Sequence, residues 1–165
     1  MLTLEKFDKD LYYKIITWNL DSDIQNKLGQ PTEDPQEIVR TVQDWLGRKD
    51  IIIFGLKLKD ELIGYALLIN LDFANKQVCY HLVIGKKSLW NKGYGIKATD
   101  LIKDFVFKKL ELHRIHTYTI GWNNKINKIL IGLGFKAEGV LRESFLHKGK
   151  FKNVVVYGLL EQGGS

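Results

Sequence analysis

The stretch from Gly93 to about Leu110 constrains the fold more than any other part of this chain. Ala98, Leu101, Ile102, Phe105 and Val106 stand at i, i+3, i+4, i+7 and i+8, the stripe by which a helix lies on a sheet. Before it come three strand-like runs, Ile51 to Leu58, Glu61 to Leu71 and Gln77 to Gly85, with tight turns at Lys59-Asp60 and Asp72 to Lys76. After it comes another, His113 to Gly121. The short turns make the first three strands antiparallel neighbours. The connection through the long helix makes His113 to Gly121 a parallel neighbour of the run before it. A single parallel crossover among hairpins implies an α+β class with a mixed, mostly antiparallel sheet.

The remaining elements fill in around that crossover. Leu2 to Phe7 reads as a first strand. Asp8 or Asp10 caps a helix to about Trp18, with Leu11, Ile15 and Trp18 on one stripe. Asn19 to Gln30 is polar and turn-rich, a connector. Pro31 and Pro35 follow, with Thr32 or Asp34 capping a helix to about Leu46 that turns Ile38, Val39, Val42, Trp45 and Leu46 inward. Asn124 to Ile131 is a short helix closed by Gly132 and Gly134, and Ala137 to Phe145 and Phe151 to Leu160 form a last hairpin around His147 to Lys150. The expectation is about seven strands and about four helices in a single domain over residues 1–161, with 162–165 as a short flexible tail.

Composition narrows the function classes. The one cysteine, Cys79, rules out an intramolecular disulfide framework and, inside an apolar run, reads as a buried hydrophobe. No basic-then-apolar leader opens the chain and no apolar run reaches the length of a membrane span, so a cytoplasmic protein without a membrane partner is expected. The formal charge of +6 suits nucleic acid and a phosphate-rich small cofactor equally. The lysines are spread along the chain and no array of stacking aromatics accompanies them, which disfavours nucleic acid. His113 and His116, three apart on a strand, point to opposite faces, and no metal site is expected.

Gly93-Tyr94-Gly95 stands where the chain enters the long helix. A helix start offers unpaired N–H groups and the positive end of the dipole, both suited to phosphate. Glycines let the backbone approach an anion closely, and Lys92 adds a mobile positive charge. Taken alone, the tripeptide is equally a plain turn into the helix. A Gly-x-x-x-x-Gly-Lys-Ser/Thr loop does not occur in the chain. Gly93 to Ala98 does read G-x-G-x-x-A, but Lys86 to Lys92 separates it from the preceding strand. The next strand ends Thr117-Tyr-Thr-Ile120 without a carboxylate, so the dinucleotide fingerprint is incomplete.

Three motifs at matching separations resemble the Gcn5-related N-acetyltransferases (GNAT), and most the branch of ribosomal-protein N-terminal and polyamine acetyltransferases. Trp90-Asn-Lys-Gly-Tyr-Gly95 differs at one position from the branch's common Trp-Gly-Lys-Gly-Tyr-Gly. Asn123-Asn-Lys-Ile-Asn-Lys-Ile with the closing Gly134-Phe135 is the second motif. Glu138-Gly-Val-Leu-Arg142 with the hairpin Lys148 to Tyr157 is the third. The resemblance implies acetyl-CoA as co-substrate, an amine as acceptor, and a V-shaped cleft between the two central parallel strands. Pantetheine would run beside Val83-Ile84-Gly85 like an added strand. The pyrophosphate would sit on the amides of Asn91, Lys92, Gly93, Tyr94, Gly95 and Ile96, behind Trp90. Asn123 would meet the pantetheine from the other side, and Lys128 a CoA phosphate.

An ammonium has no lone pair, so a base must take a proton as the amine attacks the thioester. Backbone N–H groups near Ile84 are placed to stabilise the tetrahedral oxyanion. His116 and Tyr118, two apart on one strand face, and His81 on the partner strand are the candidates for catalysis, with Glu143 a further one. The family often has a tyrosine near Leu130 to protonate the departing thiolate, or a serine where Ile126 stands. Lys97 replaces a frequent glutamate and Asn153 a frequent aspartate. These departures keep a second function open, a CoA-binding regulator or sensor without chemistry. The acceptor is a protein N-terminal amine or a small amine such as a polyamine, for which Asp21, Asp23, Glu33 and Asp34 offer carboxylates. A monomer or a homodimer is expected.

Overall fold

In the computed structural model, residues 1–29, 34–121 and 123–161 are described. Thr32 and Glu33 and the expected 162–165 tail lie outside them. Seven strands form one sheet in the order β1-β2-β3-β4-β5-β7-β6. They are β1 Leu2–Lys6, β2 Ile52–Leu58, β3 Glu61–Asp72, β4 Gln77–Ile84, β5 Arg114–Ile120, β6 Lys136–His147 and β7 Lys150–Leu160. Every neighbouring pair is antiparallel except β4 with β5, the crossover that the long amphipathic stretch demanded.

Helices α1 (Lys9–Leu20), α2 (Ser22–Leu28) and α3 (Pro35–Gly47) lie between β1 and β2. Asp8 caps α1 by accepting from Leu11 N at 2.8 Å, and Asp34 caps α3 by accepting from Gln36 N at 2.9 Å, with Pro35 in the first turn. α4 (Tyr94–Asp104) crosses from β4 to β5 and ends in a π-helical turn, Phe105–Lys109. α5 (Asn124–Gly132) follows β5.

The alternating strand residues sort into two cores, one on each face of the sheet. Leu11, Ile15, Ile24, Ile38 and Val42 of α1 to α3 pack with Ile53, Tyr65, Leu67 and Val83. Ala98, Ile102 and Val106 pack with Leu56, Leu68, Val78, Tyr80, Ile115 and Leu159 on the other face, where Leu130 and Phe135 also lie.

Three details differ from expectation. Among the described residues there are five α-helices where about four were expected, because the polar stretch Asn19 to Gln30 contains α2. Asp21 caps that helix through Asp23 N and Ile24 N, Gly29 ends it at φ 71°, and buried Ile24 anchors it together with half-buried Leu28 one turn on. Two apolar positions in seven residues make no visible period. The long helix stops being α-helical at Asp104 instead of running on to Leu110. Leu46 is 45% exposed rather than inward. At 100° per residue it stands about 80° round the helix from Ile38, at the margin of the buried stripe.

Candidate active site

The β4–β5 seam is short. Its register runs Gln77 to Arg114, Val78 to Ile115 and Cys79 to His116, and stops there. Beyond it β4 stays paired with β3 as far as Ile84 opposite Gly64, while β5 stays paired with β7 as far as Ile120 opposite Val154. The two strands are drawn apart by their outer partners. The V-shaped cleft thus opens at Cys79 and His116, and the inner edge of β4 from Tyr80 to Ile84 has no strand partner among the described residues.

The start of α4 stands beside that edge. Gly93 is the cap residue at φ 80°, no side chain caps the helix, and no acidic residue lies in the first turn. The first helical bond is Lys97 N to Gly93 O at 3.1 Å, which leaves the N–H groups of Tyr94, Gly95 and Ile96 outside the ladder. Asn91 also has positive φ, 65°. A Cβ on Gly95 would meet only Leu82 Cδ2 at 3.8 Å, an ordinary contact. Packing therefore does not require a glycine at 95, although glycine weakens a helix relative to alanine. Close approach of a ligand would require it. The buried pair Tyr80 and Thr99 holds this end of α4 to β4: their hydroxyls lie 2.6 Å apart and Thr99 Oγ1 donates to Gly95 O at 2.8 Å.

Trp90 pins the loop to the end of β4, its Nε1–H donating to Ile84 O at 2.7 Å, and Lys27 of α2 lies 4.3 Å over its ring. Gly85 is bare because the Trp18 ring occupies the place of its Cβ. Trp18 in turn stacks on Tyr65, whose hydroxyl exchanges hydrogen bonds with Asn19. Burial pushes the Tyr65 phenol up to about 12. Val83 is buried beneath this layer. Across the cleft, Asn123 caps α5 by accepting from Ile126 N at 3.3 Å. The lysine brought onto the loop is Lys125, whose ammonium bonds Asn91 Oδ1, while Lys128 and Lys92 are exposed.

The three catalytic candidates lie where the V begins to open. His116 and Tyr118 share a face with ring centroids 5.7 Å apart, edge to face. His81 Nε2 lies 3.5 Å from Cys79 Sγ. Burial holds the His81 pKa below the ordinary histidine value, and nearby His116 lowers it further. Burial also lowers the pKa of His116; Arg114 adds to this and Glu138 opposes it. Both shifts favour the neutral ring, the form that accepts a proton. Burial raises the Cys79 thiol to about 12, which makes it inert. Glu143 is exposed, with φ 52° and its N–H bonded to Asn153 Oδ1 at 3.0 Å.

The family model for the acetyltransferase (GNAT) domain matches residues 1–136. The chain belongs to the GNAT acetyltransferase family. Among relatives of this GNAT chain, the uncharacterized N-acetyltransferase p20 of Bacillus licheniformis is 30% identical over 107 residues, 65% of this chain and 60% of that protein. The spermidine N(1)-acetyltransferase of Escherichia coli K12 is 24% identical over 102 residues, 62% of this chain and 54% of that protein. The matches thus span little more than half the length of these relatives. The spermidine N-acetyltransferase of Vibrio cholerae, in its complex with CoA and spermine, superposes with a TM-score of 0.86 at 22% identity, covering 96% of this chain and 95% of that one. Another structure of the Vibrio protein is dodecameric. At that identity the likeness is one of fold.

Lys125, the Tyr80–Thr99 pair, Trp18 and Lys27 escaped the sequence reading. Only the stripe of α1 hinted at Trp18. The others are surface, strand or buried helix positions whose partners lie elsewhere in the chain.

Proposed function

We propose that this GNAT chain moves the acetyl group of acetyl-CoA to a primary amine by direct attack in a ternary complex. One observation carries the reading: β4 parts from β5 beyond Cys79 and His116, beside a helix start free of side-chain caps and acidic residues. The unpartnered edge ending at Val83-Ile84-Gly85 suits the amides of pantetheine. The amides from Asn91 to Ile96 suit its pyrophosphate, with Lys92 and Lys125 as counter-charges. Asn123 and Lys128 are proposed contacts from the α5 side.

His116 is the proposed base, since it stands at the point of the V and its burial favours the neutral ring. Tyr118 and His81 flank it. An alkyl amine holds its proton up to a pKa of about 10.4, so attack requires that proton to leave toward such a group. A CoA thiolate, with a thiol pKa near about 8.5, departs without a dedicated acid.

For the acceptor, a polyamine is proposed ahead of a protein N-terminal amine on the strength of what the relatives are named for. The carboxylates of this chain do not decide it: Asp21 and Asp23 are both held by Lys87 at 2.8 Å, and Asp34 pairs with Arg40 at 3.4 Å. We further propose that residues 1–161 act as one acetyltransferase domain, in the cytoplasm where acetyl-CoA is at hand. Among the described residues, no helix is long and apolar enough to cross a membrane.

Thiol release from acetyl-CoA with spermidine, spermine, aminoglycosides and N-terminal peptides tests the proposal. Leu130 is 5% exposed and offers no proton to a thiolate, which favours a second reading, CoA sensing without transfer. CoA binding with no release for any amine would establish that second reading instead.

A further inference from the structure

Glu138 occupies an unusual place next to the candidate base. The pairing of β6 with β7 shifts register between Ala137 and Gly139, so Glu138 sits at the irregularity. A Cβ built on Gly158 would collide with its carboxylate. Gly158 is the β7 residue directly across from His116, and opposed Cβ positions in an antiparallel pair lie about 4.5–5.5 Å apart. The Glu138 carboxylate therefore stands where the cross-strand neighbour of the imidazole would stand. Arg114, two residues before His116 and on the same strand face, grips that carboxylate with both terminal nitrogens, Nη1 to Oε1 at 2.6 Å and Nη2 to Oε2.

We infer that Arg114 and Glu138 are a positioning pair for His116 and set its charge by pulling in opposite directions. The inference rests on the reading of His116 as the base. Among the described residues, the groups facing the ring are Arg114 and Tyr118 from β5, Cys79 and His81 from β4 and Glu138 from β6, while Gly158 of β7 contributes no side chain. Arg114 opposes the imidazolium and Glu138 favours it. His116 Nδ1 is buried with no hydrogen-bond partner among the described residues. An imidazolium would make it a donor without an acceptor, so the buried setting of Nδ1 favours the neutral ring. The ion pair balances two unit charges beside that ring, and removing either one unbalances it. Gly158 makes the arrangement possible, since any side chain there would evict the carboxylate.

The test is an NMR titration of the His116 ring in the free protein, with the pH dependence of kcat measured alongside. Glu138→Gln lowers the His116 pKa and Arg114→Gln raises it, each by about 0.5 unit or more. Arg114→Lys, which keeps the charge, stays near the wild-type value, and Gly158→Ala shifts it in the same direction as Glu138→Gln. The acid limb of kcat moves with each. Shifts of one sign in both charge variants, or no shifts, overturn the inference. Opposite ring shifts with an unmoved acid limb uphold the pair and remove His116 as the base, so the two readings fail separately. If Arg114→Gln does not fold, the downward shift of Glu138→Gln and of Gly158→Ala decides, and its absence overturns the pair.

Discussion

The indole N–H of Trp90 donates to the carbonyl of Ile84 at 2.7 Å, tying the glycine loop to the last residue of β4. The strand edge and the helix start that face the cleft are thereby held in one fixed relation.

Trp90→Phe removes that bond while keeping an aromatic ring beneath Lys27. A typical hydrogen bond contributes about 0.5–1.5 kcal/mol, so CoA affinity should fall about 2- to 10-fold with little change in fold. Calorimetric titration of CoA checks this, and unchanged affinity would show that the loop needs no such anchor.

The two glycines of the loop should separate. Gly95→Ala has room and a helical backbone, so it should raise stability by about 0.4–1 kcal/mol yet weaken CoA binding by crowding the anion. Gly93→Ala forces a Cβ into φ 80° and should destabilise by about 1–2 kcal/mol. Thermal melts read the first pair of effects and CoA titration the second. A Gly95→Trp variant that binds CoA normally would sink the pyrophosphate site.

His116→Gln should cut kcat by about 10²- to 10⁴-fold and leave CoA affinity unchanged. Because burial lowers the His116 pKa, the acid limb of the wild-type profile should fall below the free histidine value of about 6.5. A limb at or above that value would point to another base.

The same burial has a stability consequence. His81 and His116 both have folded pKa values below the unfolded value of about 6.5. From there downward the unfolded chain takes up protons first, so their contribution is complete above about pH 6.5 and is lost as pH falls through the folded values. Melting temperatures between pH 7.5 and 5 should decline in the wild type and decline less in a His81→Gln, His116→Gln double variant.

Gly85→Ala should push the Trp18 ring off its seat and disturb its stacking on Tyr65. Overpacking of this kind costs about 1–3 kcal/mol, and near-ultraviolet circular dichroism should report the moved indole.

Much of this architecture was legible because burial writes a period into the chain. The stripe of α4 and the apolar runs of β2 to β5, set off by tight turns, led directly to the mixed sheet and its one parallel seam. The uncapped glycine entry to α4 was legible too, since the signal lies in consecutive residues. α2 was not, because a seven-residue helix whose apolar positions are Ile24 and Leu28 alone is too short to show a period. Leu46 misled for a related reason: on the margin of a stripe, tertiary contact decides which way a residue faces.

Alone, then, the sequence determined the order of elements, the crossover and the place of the glycine loop, all consequences of local pattern and short connections. Only the tertiary structure decided where the seam ends, at Cys79 and His116. That point depends on how long β3 and β7 hold their own partners. It also brought Lys125 to Asn91, Trp18 to Gly85 and Glu138 to the bare Gly158. Each joins positions whose separation in the chain carries no periodic signal, so packing alone selects them.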